Sequence, residues 1–216
     1  MRSYPRRLRF LAVLLAALAG FVDAIAFLQL GGFFVSFMSG NSTRLGVGLV
    51  QAPGLALIAL GLILMFVVGV FTGSLVGRAA ARHQRVTVLS CVTLTLVISG
   101  VLVIFGLPFA AAILLPVAMG MENAAFERNG ESRFGVTYMT GALVKLGQGL
   151  ASAATGGVPW TWFPYLTLWF GLVLGATGGA AAWNWIGSLS IWAAVAGAGT
   201  ATLTALLLGP DPMEWG

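Results

Sequence analysis

Four charged side chains fall inside otherwise apolar segments of the chain, where charge is costly. They are Asp23, Arg44, Glu122 and Lys145. Each charge costs about 2.5–3.5 kcal/mol at the centre of a helix inserted in a bilayer. We therefore predict two ion pairs, Asp23 with Arg44 and Glu122 with Lys145. Such pairs roughly offset the cost of burying the charges without exceeding it, so their presence favours a functional reason.

The same charges also allow a purely structural interpretation. Arg44 and Lys145 could extend to a membrane interface, or could tie a loop to the two acids. Glu122 is the weakest functional candidate, because the residue that corresponds to it in the repeat described below is Val22. Both interpretations stay open at this point.

The two bases belong to related segments that are apolar at their ends and polar or glycine-rich in the middle. The first is Phe33–Val50, FFVSFMSGNSTRLGVGLV, and the second is Phe134–Leu150, FGVTYMTGALVKLGQGL. They share the pattern Met-[Ser/Thr]-Gly-x-x-x-[Arg/Lys]-Leu-Gly-x-Gly-Leu. The candidate binding residues in the two copies are Met38, Ser39, Gly40 and Asn41 in the first, and Met139, Thr140 and Gly141 in the second.

The centre of each segment predicts a broken helix. We predict that a helix begins at 39–41, with Asn41 as its N-cap and Arg44 in its first turn, and that Thr140–Gly141 starts another just before Lys145. A helix N-terminus presents free N–H groups and a partial positive charge. Together with the two bases, this predicts a site for an anionic group near the membrane midplane. The two acids would occupy the site when it is empty, and a carboxylate there could also carry protons.

Composition places the chain in a bilayer. Of its 216 residues, 59% are hydrophobic and 8% are charged, and the mean hydropathy is +0.98. Soluble domains carry about 25% charged residues. The net charge of +5 comes from bases between apolar runs, which is typical of cytoplasmic loops and not of a nucleic-acid interface.

Motifs for catalysis are missing from the sequence. With one cysteine, Cys91, and one histidine, His83, we predict no metal site and no cofactor. The sequence has no Gly-x-Ser-x-Gly motif and no phosphate-binding loop, so we predict that the protein is not an enzyme.

Six apolar segments are long enough to cross the hydrocarbon core. If the two polar-centred segments instead return to the side from which they enter, all the loop cations and the N-terminus lie in the cytoplasm. We therefore predict an all-α integral membrane fold with six transmembrane helices and two re-entrant, broken half-helices, in the bacterial inner membrane. The mixed charged loop Glu127–Arg133 is predicted to be solvated. The six spans are Leu8–Leu30, Gly54–Gly77, Val86–Phe105, Leu107–Phe126, Thr161–Trp183 and Ile186–Leu208.

The spans form an internal repeat within a single domain, 1–216. Repeat 1 covers 8–106 and repeat 2 covers 107–208. Gly20-x-x-Asp23 in the first corresponds to Gly120-x-x-Asn123 in the second, and Asn123 is a further candidate binding residue. Each repeat crosses the membrane three times, so the second is inverted relative to the first, as in many secondary transporters. Glycine triplets that permit close helix packing also match: Gly69, Gly73 and Gly77 with Gly171, Gly175 and Gly179.

The chain resembles the YoaK family, a group of bacterial inner-membrane proteins of unknown function. The resemblance covers essentially the whole chain and implies a six-span membrane protein with no established activity. Its most specific part is the Met-Ser-Gly-Asn segment. The residues that carry it are Gly20, Asp23, Ala24, Phe27, Gly31, Met38, Ser39, Gly40 and Asn41.

The functional prediction is a transporter or facilitator for a small, anionic solute, coupled to protons through Asp23. Its partners would be the lipid bilayer, a small-molecule or ion substrate, and a second copy of the chain in a homo-oligomer; no nucleic acid is expected. One alternative is a membrane scaffold or partner subunit that transports nothing. A passive anion channel is the other.

Overall fold

A computed structural model describes residues 6–128, 131–132 and 139–209 of the chain. The predicted loop cations Arg2 and Arg133, and the start of the second polar-centred segment (134–138), lie outside these residues. Short 3-10 helices cover Ala81–His83, Ala124–Phe126 and Gly187–Ser190. Two two-residue strands, β1 (Glu127–Arg128) and β2 (Glu131–Ser132), pair antiparallel. The α-helices are α1 (Arg6–Gln29), α2 (Met38–Gln51), α3 (Pro53–Ala80), α4 (Gln84–Ile104), α5 (Pro108–Asn123), α6 (Met139–Ala154), α7 (Phe163–Ile186) and α8 (Ile191–Leu208).

Proline and left-handed residues set several helix boundaries. Pro53 and Pro108 each lie at the start of a helix, where the N–H group that proline lacks would have no partner within the helix. The chain reverses at Ala81, whose φ is +47°, and at Gly187, whose φ is +56°. Four helical stretches are long and apolar enough to cross a membrane: 7–29, 53–104, 108–126 and 163–208. The second and fourth contain 52 and 46 residues, and each is divided by one of these reversals.

The helices lie in two opposed directions, as their contacts show. Helices α1 and α7 run parallel, because Gly171, Gly175 and Gly179 meet Val13, Ala17 and Phe21 in the same order. Helices α3 and α5 are also parallel, since Gly69 and Gly73 meet Val117 and Met121. Helix α8 is antiparallel to α1 and to α4, and α4 is antiparallel to α3 and α5. It follows that α1 and α3 point in opposite directions, as do α5 and α7.

Close packing of small residues holds α1 on α7 and α3 on α5, the two most extensive helix contacts. A Cβ at Gly175 would overlap the carbonyl oxygen of Ala17, and one at Gly69 would overlap that of Val117. In lipid, where there is little hydrophobic drive between helices, such backbone contact is a main source of association.

The glycine contacts correct the register predicted for these helices. Gly69 meets Val117 as Gly175 meets Ala17, so Gly69 corresponds in packing to Gly175 and not, as the sequence alignment predicts, to Gly171. The difference is four residues, about one helical turn. Because glycines recur every fourth residue in both helices, the sequence pattern alone could not separate the two registers.

Side-chain burial separates a centre from a lipid-facing surface. Helices α1 and α5 are the most buried, and the core includes Leu11, Leu15 and Val22 of α1 with Leu115 and Met119 of α5. Apolar side chains cover the outside of α3, α4, α7 and α8. A continuous apolar exterior is expected of a protein whose solvent is hydrocarbon.

A polar cluster joins α3, α4 and the strand after α5. Arg78 pairs with Glu127 at 2.9 Å, and the Ser74 hydroxyl donates to the same carboxylate. The Gln84 side chain donates to the backbone oxygens of Ala124 and Glu127, both at 2.9 Å. Glu127 is therefore held by the protein and not solvated, contrary to the sequence prediction for this loop. The side chains at 128–133 lie outside the described part.

Acidification should weaken this cluster. Partial burial would raise the pKa of Glu127, but the hydrogen bonds from Ser74 and Arg78 and the charge of Arg78 outweigh it and hold the pKa below its ordinary value of 4.5. A lowered pKa adds stability that is fully present above that value and is lost as the pH falls through the folded-state pKa. We expect Glu127→Gln to lower the melting temperature at neutral pH. The difference from the parent should shrink in acid, and a constant difference would contradict this assignment.

Candidate functional site

The carboxylate of Asp23 holds the break between α1 and α2. It accepts the backbone N–H groups of Val35 and Ser36, each at 2.7 Å, and the Ser36 hydroxyl at 2.5 Å. Asp23 lies six residues before the end of α1, or about 9 Å along the helix axis. The connection 30–37 therefore turns back alongside α1 and starts α2 at the depth of this acid. Asp23 thus accepts N–H groups of the connection before α2, and not the N–H groups at a helix N-terminus that the sequence analysis assigned to an anionic ligand.

Asn41 fixes the other side of the same break. Its side-chain nitrogen donates to the carbonyl oxygen of Phe34 at 2.6 Å, and its side-chain oxygen accepts the N–H of Phe34 at 3.1 Å. Helix α2 begins at Met38, so Asn41 lies inside the helix and is fully buried. The prediction that Asn41 is the N-cap was wrong. The side chain pairs with the backbone of the connection 30–37 and not with its own helix.

Asn41→Asp should destabilise the protein more than its small change in shape suggests. The substitution replaces the donor facing the Phe34 carbonyl with an acceptor, and leaves that part-buried carbonyl without its partner. We expect a loss of about 2–3 kcal/mol in the free energy of unfolding, read as a lower melting temperature. Asn123→Asp is the comparison, because the Asn123 side chain donates to a carbonyl oxygen of its own helix. If Asn41→Asp melts at the same temperature as the parent, the hydrogen bonds between the Asn41 side chain and the Phe34 backbone do not stabilise the fold.

The two predicted ion pairs do not form within the described residues. The half-buried Arg44 guanidinium lies 5.1 Å from the centre of the Phe33 ring, not on Asp23. It packs on Gly32, whose φ of +100° favours glycine and where a Cβ would lie 2.8 Å from the guanidinium. Lys145 is exposed, with its ammonium 5.7 Å from the ring centre of Tyr165. Both bases use the face of an aromatic ring where the sequence analysis expected a carboxylate.

Glu122 is completely buried, and neither carboxylate oxygen has a hydrogen-bond partner in the described part of the chain. It interacts electrostatically with Asp23. The neighbouring Asn123 donates from its side chain to the carbonyl oxygen of Met119 at 2.9 Å. The chain therefore brings the two predicted acids into each other's field, and it keeps both predicted bases away from them.

A cavity of about 600 Å³ lies against Asp23. Helix α1, the break 34–37 and helix α7 form most of its wall, and Met139 at the start of α6 completes it. Both polar-centred segments thus border one space. The lining is almost wholly apolar and aromatic, with polar atoms from Asp23, Ser36 and Thr177. The residues that surround the cavity are Gly20, Asp23, Ala24, Phe27, Leu28, Phe34, Ser36, Phe37, Met139, Leu172, Ala176, Thr177 and Ala180.

Of the twelve predicted site residues, the cavity wall contains Asp23 and Met139. Ser39 and Thr140 are exposed, and a Cβ built on Gly141 would meet nothing within 4 Å. Gly40 packs on the rings of Phe34 and Phe37, and Met38 contacts the Asn41 amide through its sulfur. Among the described residues, no group of three or more His, Cys, Asp or Glu side chains could hold a metal ion.

Sequence reasoning missed the aromatic wall and the contribution of α7. A signal for the first exists, because phenylalanines are concentrated between Phe27 and Phe37, before the polar residues. Ala176 and Thr177 carry no such signal, since they sit in an ordinary apolar span and reach the cavity only through the pairing of α7 with α1.

Comparison with known proteins agrees with this architecture at the level of the family. A family described as "Protein of unknown function (DUF1275)" matches residues 11–204. A UPF0700 transmembrane protein of Rhizobium meliloti (strain 1021) is 35% identical over 171 residues, covering 77% of this chain and 72% of the relative. No solved structure matches the chain. The predicted resemblance to a bacterial membrane-protein family of unknown function is confirmed.

Proposed function

Because the chain belongs to the DUF1275 family of membrane proteins of unknown function, its activity must come from the site itself, and we propose that it transports or facilitates the passage of a small solute. The observation that carries this proposal is the cavity between α1, the break 34–37, α6 and α7, with Asp23 in its wall. Secondary transporters bind their solutes at such discontinuities, where backbone groups and charges meet within the membrane.

The proposal includes six crossings and two re-entrant segments. Helices α1 and α3 point in opposite directions, so the connection 30–52, with α2 inside it, must end on the side where it began. The same reasoning applies to α5, α7 and the connection between them. Helix α2 has 14 residues, or about 21 Å, which is too short to cross alone. The packing match between α1–α7 and α5–α3 supports the inverted repeat, and the positive-inside rule supports a cytoplasmic N-terminus in the bacterial inner membrane.

The lining favours a different solute from the one predicted from sequence. The anionic preference depended on Arg44 and Lys145, and neither side chain lines the cavity. Its wall offers the carboxylate of Asp23 and the rings of Phe27, Phe34 and Phe37. A carboxylate with aromatic faces attracts positive charge. We therefore propose an apolar solute with a cationic group.

The non-transporting scaffold has one specific observation in its favour. The carboxylate of Asp23 already accepts three hydrogen bonds from the protein, and Arg44 and Lys145 already have ring partners. Each of these charges could therefore serve folding alone. The two functions differ in whether the cavity must stay open, and an experiment on the cavity separates them.

Filling the cavity is the test. We would measure uptake into proteoliposomes of ethidium, an aromatic monocation, and benzoate, an aromatic monoanion, by the parent and by Ala176→Trp. Ala176 lines the cavity, so its replacement by tryptophan should reduce ethidium flux at least about tenfold. Leu203→Trp on the exposed face of α8 is the matched control and should transport as the parent does.

The two probes also decide the charge of the solute. Faster ethidium flux than in empty liposomes, lost in Ala176→Trp and kept in Leu203→Trp, supports the proposal. A benzoate flux with the same dependence would restore the anionic solute. If Ala176→Trp folds and leaves every flux of the parent unchanged, the cavity is not a transport site and the scaffold is favoured.

A further inference from the structure

Glu122 differs from every other acid whose side chain the structure describes. Asp23 is held by three hydrogen bonds, and Glu127 is held by Ser74 and Arg78. Glu122 has 0% exposure and no partner for either oxygen in the described residues. It also lies in the most buried part of the fold, on α5 one turn after Ala118 and Met119.

A buried carboxylate without a donor is strongly disfavoured as an ion, because removing its charge from water costs free energy that no hydrogen bond offsets. A cation or a proton must balance the charge. Among the described residues, no base forms an ion pair with Glu122, and Arg44 and Lys145 lie against aromatic rings. The described residues also contain no group of three or more His, Cys, Asp or Glu side chains that could hold a metal ion there. The remaining partner is a proton.

We infer that Glu122 is a proton-binding site in the membrane-embedded core, and that its proton sets how firmly Asp23 holds the break between α1 and α2. When Glu122 is protonated, its carboxyl group is neutral and does not repel Asp23. When the proton leaves for water, the carboxylate that remains repels the nearby charge of Asp23. That repulsion acts on the group that accepts the N–H groups of Val35 and Ser36.

The charged neighbours of Glu122 support the assignment to this pair of acids. Helices α1, α3 and α4 pack against α5. The charged and titratable groups with described side chains on these helices and just after α5 are Arg7, Arg9 and Asp23 on α1, Arg78 on α3, Arg85 and Cys91 on α4, and Glu127. Among these groups, Asp23 is the one that interacts electrostatically with Glu122.

The inference goes beyond transport, because it concerns the resting protein and holds for a scaffold as well. It also reverses the sequence prediction, in which Asp23 carries the proton. Asp23 is the tethered acid, and Glu122 is the one free to exchange a proton.

Cysteine labelling tests the coupling. In a Cys91→Ala background, Phe37→Cys reports the break and Val50→Cys, at an 84% exposed position on α2, corrects for the reactivity of a thiol. Between about pH 6 and about pH 9, we expect the labelling rate of Phe37→Cys relative to Val50→Cys to rise about fivefold or more as the second charge appears. Adding Glu122→Gln, which keeps the shape of the neutral acid, should abolish the rise.

A second measurement covers the case in which Glu122→Gln does not fold. Dicyclohexylcarbodiimide reacts with protonated carboxyl groups in apolar surroundings, and mass spectrometry of the parent should place the adduct on Glu122, with less modification at high pH. Modification of Asp23 in place of Glu122 would overturn the inference. So would a pH-dependent labelling ratio that is the same with and without Glu122→Gln.

Discussion

Gly175→Ala should cost the folded protein about 3 kcal/mol, although it adds a single methyl group. The new Cβ would overlap the carbonyl oxygen of Ala17, and neither backbone can move without separating α1 from α7. That pair forms the most extensive helix contact in the structure. The expected result is a large fall in the melting temperature of the detergent-purified protein.

Gly61→Ala is the matched control on α3. A Cβ there would meet nothing within 4 Å, so the substitution should be neutral or should stabilise the helix by up to about 1 kcal/mol. Gly69→Ala should behave like Gly175→Ala, because its Cβ would overlap the carbonyl oxygen of Val117. Equal melting temperatures for Gly61→Ala and Gly175→Ala would show that the close contact of α1 and α7 is not what holds these spans together.

Asp23→Ala should have the second large effect, a loss of about 3–5 kcal/mol in the free energy of unfolding. The substitution removes the acceptor for two backbone N–H groups and one hydroxyl in a part-buried connection. Each donor then loses its partner in a part-buried setting. Thermal unfolding gives the magnitude, and limited proteolysis between residues 30 and 37 shows whether the break is the part that loosens.

Two milder variants define the role of the acid. Ser36→Ala removes only the hydroxyl donor and should cost about 1–2 kcal/mol. Asp23→Asn keeps one oxygen acceptor for the N–H groups of Val35 and Ser36 and should fall between the two. If Asp23→Ala melts with the parent and its break resists protease, the acid does not anchor the connection.

The spans could be predicted from the sequence because length and hydropathy determine them. Apolar runs give the six long helices to within a few residues, and prolines mark two of their starts. The polar-centred segments can also be located, since their Ser, Gly and Asn residues interrupt the apolar pattern, although α2 begins at Met38, ahead of these residues. These features depend on local sequence and on the solvent alone.

The partners of the charged residues could not be predicted in the same way. Charge balance suggests that an acid will pair with a base, but a broken helix also supplies backbone N–H groups, which Asp23 uses. Arg44 and Lys145 in turn lie against aromatic rings and not against a carboxylate. The sequence shows that a buried charge needs compensation; only the packing of α1 against its neighbours decides which group provides it.

The most direct test of the account is the sidedness of the two polar-centred segments. In a Cys91→Ala background, single cysteines at three exposed positions, Gln51, Ala79 and Thr155, would be labelled in intact cells by an impermeant maleimide. Re-entrant segments that enter from opposite faces predict that Gln51 is labelled from outside, while Ala79 and Thr155 are labelled only after the membrane is opened. A protected Gln51 and a protected Thr155 together with an externally labelled Ala79 would mean that α2 and α6 run straight through the bilayer, and would contradict the proposed arrangement.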